Sequence, residues 1–249
     1  MENIYALVRV ADEIVDGSAA EARANGGAAD PSRALDDLER EVYRAITDRF
    51  SSNLVVHAFA HSANQTGFGR DIIRPFFDSM RMDLWKTKHD QRSFEKYVYG
   101  SAEVVGLMCL QAFVEGLEYS QDETAKMVAG ARALGSAFQK VNFLRDLSAD
   151  ARGLGRSYFP GISPENFTEA DKTRLVEDIR AELAVSAASI PLLPKTARRA
   201  VVAAHLLFEA LNDRIGNTPA AQLISTRISV PSSRKAIILA KSWLGVVPK

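Results

Sequence analysis

The stretch Gln139-Lys140-Val141-Asn142-Phe143-Leu144-Arg145-Asp146-Leu147-Ser148-Ala149-Asp150 decides how this chain is read. Gln139, Asn142, Asp146 and Asp150 follow one another by 3, 4 and 4 residues, the spacing that stacks side chains on one face of an α-helix. Leu134, Phe138, Val141, Phe143, Leu144 and Leu147 flank that stripe, so the helix is expected to be buried, with its polar stripe lining an interior cleft. Four polar groups in a dry setting need a ligand or a partner stripe. A solvated amphipathic helix would more naturally carry Glu and Lys there than Gln, Asn and Asp.

Outward from this stretch, apolar residues recur at spacings of three and four, and alternating β-branched runs are nearly absent. The pattern predicts an all-α fold, with helices over residues 2–16, 32–48, 53–62, 69–89, 91–117, 121–151, 168–188, 194–216 and 232–245. Gly17 to Pro31 is small, polar and Gly-rich and reads as a loop. Ser32 is the expected N-cap of the next helix, with Asp36 and Asp37 near the positive end of its dipole. Gly153, Gly155, Pro160, Gly161 and Pro164 end the longest helix. No repeat or shift of composition marks a domain boundary, so one domain covering residues 1–249 is expected.

The charge balance narrows the partners. Thirty-one basic residues meet thirty-one acidic ones, which provides no global field for nucleic acid. The single Cys109 sits in an apolar run, excluding an internal disulfide and a cysteine zinc site, and reads as a structural thiol. The opening Met-Glu-Asn-Ile-Tyr lacks a basic leader, and no window reaches about 18 unbroken apolar residues. A cytoplasmic protein with no transmembrane segment is therefore expected. The apolar stretch from Ala236 to Val247 is broken by Lys241 and Gly245; it reads as a packing helix, with peripheral membrane contact as the lesser reading.

A second acidic pair stands near the start. Asp12 and Asp16 are four apart, with Arg9 three before Asp12, on one helix face. That spacing alone leaves open a solvated acidic face. Together with the Asp146/Asp150 pair it suits a hard cation: magnesium, or manganese, shared between carboxylates and phosphate oxygens. Arg145, Arg152, Arg156 and Tyr158 add the cations and donors that diphosphate oxygens need. His57 and His61 share a helix face but lack a third ligand. No glycine-rich phosphate loop, serine elbow or HExxH pattern occurs.

Three segments resemble the phytoene/squalene synthase family of head-to-head prenyl transferases. They are Tyr5 to Asp16, Tyr97 to Gly106, and Gln139 to Asp150 continuing through Gly155-Arg156-Ser157-Tyr158-Phe159-Pro160. The resemblance implies a single-domain isoprenoid synthase bundle with a central cleft and two prenyl diphosphate substrates. It further implies that Asp12, Asp16, Asn142, Asp146 and Asp150 hold magnesium, that Arg9, Arg145, Arg156 and Tyr158 bind diphosphate, and that Tyr5, Tyr97 and Gln139 line the reacting centre. The implied reaction makes phytoene, or a C30 product from farnesyl diphosphate, with NADPH not expected. Four departures stand out: the family's first helix is expected to be lacking ahead of Tyr5, Glu103 stands where Gly is usual, Phe208 replaces a Tyr, and the loop between Asp150 and Arg156 is one residue longer. A non-catalytic assembly or scaffold relative is the alternative from another class, and such a relative has no need of the aspartates.

Overall fold

The structure is a computed structural model that describes all residues except 18, 20, 23, 24, 150–155 and 245–249, with the backbone alone at 148 and 149. The described residues form helices and no strands, as the periodicity predicts; a single parallel bridge joins Lys88 and Ser157. They divide into two compact units. The first comprises Met1–Lys86 and Tyr99–Gly116, and the second Thr87–Val98 and the chain from Leu117 onward.

In the first unit, α1 (Glu2–Val15) buries Ile4, Leu7, Ala11 and Val15, a stripe at spacings of three and four. That stripe packs against α2 (Pro31–Asp48), α3 (Leu54–Thr66), α4 (Arg70–Asp83) and α6 (Val104–Val114). The core so formed includes Leu35, Val42, Val56, Phe59, Ile73, Phe77 and Met108. The start of α2 departs from expectation: its N-cap is Asp30, whose carboxylate accepts from the Ser32 N–H at 3.0 Å, with Pro31 in the first turn. Proline at that position needs no N–H partner and presets φ, which moves the cap two residues ahead of Ser32. Likewise α4 stops at Asp83 rather than running on to 89, with Leu84 as its C-cap.

Residues Gln91–Val114 make one helical run of 24 residues, apolar enough to cross a membrane by length and composition only. Its later part is a core helix, in which Val104 and Met108 are buried. Between α5 (Gln91–Val98) and α6 the run widens into a π-turn over Tyr99–Glu103. Gly100 explains the widening, because a Cβ there would lie 2.1 Å from the Pro75 carbonyl oxygen and 2.2 Å from Ser79 Oγ of α4. Only a glycine lets the two backbones approach so closely.

The second unit is built on α7 (Gln121–Ala149), the 29-residue helix that carries the polar stripe. It lies along α8 (Glu169–Ser189), which a Thr168/Asp171 capping box starts. Glu182 of α8 accepts from Ser136 at 2.8 Å and Lys140 at 2.6 Å, pinning the two helices at mid-length. After a short 3₁₀ turn, α9 (Lys195–Gly216) packs on both, and its Asn212 donates to the Val176 carbonyl at 3.1 Å. A one-turn α10 (Ala220–Leu223) and α11 (Ser232–Trp243) complete the unit.

Candidate functional site

The two acidic pairs belong one to each unit, so their geometry is given separately. On α1, burial of Ile4, Leu7, Ala11 and Val15 turns Arg9, Asp12 and Glu13 away from the core. Arg9 makes ion pairs with Asp12, at 2.5 Å, and with Glu13. Asp16 caps the helix, its backbone N–H bonding to the Asp12 carbonyl at 2.9 Å. Partial burial pushes the Asp12 carboxyl up; Arg9 opposes this, but Asp16 and Glu13 add repulsion and the net displacement is upward. Tyr5, on the same helix, is 69% exposed. Glu13 is a member of this cluster that the i,i+4 pattern alone did not select.

In the second unit, Gln139, Asn142, Arg145 and Asp146 are all half-buried on α7. Arg145 wraps back onto its neighbour, with Nε 3.1 Å and Nη2 2.5 Å from Asp146 Oδ2. Asp146 Oδ1 accepts a further bond, from Arg227 Nε at 2.7 Å. Burial pushes the Asp146 carboxyl up, but the hydrogen bonds and charges of the two arginines outweigh it and hold the group below the usual carboxylate range. Asp146 is thus a carboxylate met by two arginines, whereas Asp12 is one raised chiefly by burial despite its pairing with Arg9. Arg227 lies 81 residues away in sequence and belongs to no periodic pattern, so nothing local marked it. Asp150 and Arg152 lie outside the described residues.

Tyr97, Arg156 and Tyr158 are brought together beside the same helix. The Tyr158 ring stacks on Phe143 of α7 at 4.0 Å between centroids and 9° between planes, and Tyr97 stands 5.2 Å from Tyr158. Arg156, buried, donates to the Tyr158 hydroxyl at 3.3 Å. The Ser157 N–H bonds to the Thr87 carbonyl at 2.8 Å, which seats this segment against the start of the second unit. His89 joins the cluster, its ring 5.1 Å from Tyr97 and 5.8 Å from Tyr158; sequence gave no sign of it. The result is a buried aromatic cluster whose Phe143 lies one turn from Asp146.

The remaining candidates are accounted for locally. His57 Nδ1 accepts from the Ser51 N–H at 3.4 Å and its ring meets Phe50 edge-on, so it serves the turn before α3. Burial pushes the Cys109 thiol up to about 11 and keeps it protonated. Glu103 closes the π-turn and is half-buried. Phe208 stacks on Phe138 at 3.7 Å and 14°, a contact that needs no hydroxyl. Among the described residues no three His, Cys, Asp or Glu side chains are grouped closely enough to hold a metal unaided.

Comparison with known proteins adds to this geometry. Residues 1–234 match the family model described as squalene/phytoene synthase. Phytoene synthase 2, chloroplastic, of Solanum lycopersicum is 29% identical over 230 residues, covering 85% of this chain and 70% of that protein. The Oryza sativa subsp. japonica phytoene synthase 2 is 34% identical over 177 residues, covering 68% of this chain and 40% of its own length. Against several curated relatives the chain thus spans about half their length or less. Among solved structures, a dehydrosqualene synthase in complex with ligand superposes with a TM-score of 0.77 at 22% identity, covering 98% of this chain and 85% of that one. Squalene synthase HpnC from Alicyclobacillus acidocaldarius gives 0.71 at 20% identity, covering 87% and 83%. These two share its all-α fold.

Proposed function

Because this chain belongs to the squalene/phytoene synthase family of prenyltransferases, we propose that it condenses two geranylgeranyl diphosphates head to head into phytoene. The observation that carries the reading is the family match over residues 1–234 in a chain where Asp12, Asp16 and Asp146 are all present. The phytoene synthases among its relatives favour the C40 product. A C30 product from farnesyl diphosphate is the second reading.

The first allylic C–O bond breaks, its electron pair leaves with diphosphate, and the second substrate's double bond attacks the cation. Loss of a proton then gives a cyclopropylcarbinyl diphosphate. Ionisation of that diphosphate, rearrangement and loss of a second proton yield the hydrocarbon, with two diphosphates released and no hydride required. NADPH has no part in this route.

Asp12 and Asp16 fit a divalent cation: they are hard oxygen donors, and the upward displacement of Asp12 is the strain that a cation relieves. Magnesium bound there would supply charge to the departing diphosphate oxygens. Asp146, with Asn142 and the undescribed Asp150, is the second set of donors. Arg227 and Arg145 occupy both Asp146 oxygens, so substrate binding would redirect these guanidiniums to diphosphate. Arg9, Arg156 and the Tyr158 hydroxyl add donors for the leaving charge. Tyr97 and Gln139 of the second unit are assigned to the reacting centre, where an aromatic ring would stabilise the cation, with Tyr5 of the first unit as a further candidate.

Incubation with geranylgeranyl or farnesyl diphosphate and Mg²⁺, with and without NADPH, tests the proposal through the extracted lipid. Phytoene from the C20 substrate, independent of NADPH, is expected. A C30 product would select the second reading, and no product from either substrate would remove both.

A further inference from the structure

Helix α11 meets α9 through Ile238 and Ser242, which are buried. Ile237, 52% exposed, borders a small cavity against α9, while Leu239 is 57% exposed, Trp243 74% and the C-cap Leu244 82%. At about 100° per residue, Ala236, Leu239, Ala240 and Trp243 centre the face opposite Ile238, with Ile237 and Leu244 on its far edge. Scattered exposed apolar residues need no explanation, but Ala236, Leu239, Ala240, Trp243 and Leu244 gathered on one face beyond Ser232 and Ser233 do.

The charges on this helix are one-sided. Ser232–Trp243 carries Arg234, Lys235 and Lys241 and no acidic residue, in a chain whose net charge is +0. Those cations flank the buried strip, at the borders of the apolar face. Arg199 of α9 adds another, its guanidinium 5.5 Å from the Trp243 ring. Glu209 and Asp213 of α9 line a small cavity with Arg234 and Lys241, so part of this charge is met on the inner side; Lys235 and Arg199 are not among that cavity's lining.

We infer that the outer face of α11 docks on an anionic lipid bilayer, with Leu239, Trp243 and Leu244 entering the headgroup boundary and Lys235 and Arg199 meeting phosphates. Apolar residues with Trp on one face and cations at its borders are the pattern of a helix lying in the membrane interface. Charge decides against a second copy of this chain, because a twofold contact through this face would set like cations opposite one another. The inference deepens the proposed function, since a product with no polar group must leave into lipid; the docking itself does not depend on catalysis.

The test uses the full chain with Trp85→Phe, which leaves Trp243 as the only tryptophan. Phosphatidylcholine vesicles, with and without about 30% phosphatidylglycerol, are titrated in while Trp243 emission is followed and bound protein is sedimented. A saturable blue shift with the anionic vesicles and weaker binding to the neutral ones is expected. Lys235→Gln and Arg199→Gln should each weaken binding about fivefold, and L239S/L244S by on the order of tenfold or more, with the circular dichroism spectrum unchanged. Unshifted emission with both vesicles, or equal binding by L239S/L244S, overturns the inference. So does a dimer in sedimentation velocity that L239S/L244S abolishes. Synthase activity measured in detergent separates the two claims: activity without vesicle binding sinks the docking alone, and vesicle binding without activity sinks the enzyme reading alone.

Discussion

Asp12 and Asp146 carry the same functional group in opposite electrostatic situations, and a proton tells them apart. The Asp12 carboxyl sits above its ordinary value, so the folded chain holds that proton more readily than the unfolded one. Its charge therefore costs stability at neutral pH, a cost that begins to lessen as pH falls through the folded value and is gone below the unfolded one. Asp146 is depressed, so its contribution is present above the unfolded carboxylate value and is lost as pH falls through the folded one. Asp12→Asn should thus leave the melting temperature at pH 7 unchanged or slightly raised, whereas Asp146→Asn should lower stability by about 1 kcal/mol. Both should cut synthase activity by on the order of a hundredfold, and Asp122→Asn, at the start of α7, should do neither. Thermal melts at pH 7 and pH 4 beside product assays check all three. If magnesium binds where proposed, added Mg²⁺ should raise the melting temperature of the unsubstituted chain more than that of Asp12→Asn.

At the scale of elements, helix identities and most boundaries were legible, because each helix repeats its apolar residues often enough for the period to show. What escaped was set by single contacts. Asp30 overrides Ser32 through Pro31. The π-turn depends on how closely Gly100 approaches Pro75, two residues 25 positions apart that no local window joins. Gly100→Ala should therefore cost about 2–3 kcal/mol by overpacking against a backbone carbonyl that cannot give way. Denaturant melts would show this, and an undiminished midpoint would mean that α4 and the π-turn can separate freely. The site followed the same division: the Gln139, Asn142, Asp146 stripe could be counted off one helix, whereas Arg227 and His89 reach it from elsewhere in the chain.

For the whole molecule, the product is the quantity that matters most: the proposal expects phytoene made without NADPH, and the extracted lipid checks it. The balance of 31 basic against 31 acidic residues gives the chain no global field. That balance has a bearing on α11. A helix of net charge +3 in a chain of net charge +0 leaves −3 for the rest, so attraction of the molecule to an anionic surface would act through this helix and not through net charge. Beyond about 8–10 Å of an anionic surface in physiological salt it is scarcely drawn in at all. Within that range it is turned. Salt should accordingly change how often an arriving molecule lands with α11 facing the lipid far more than how often it arrives.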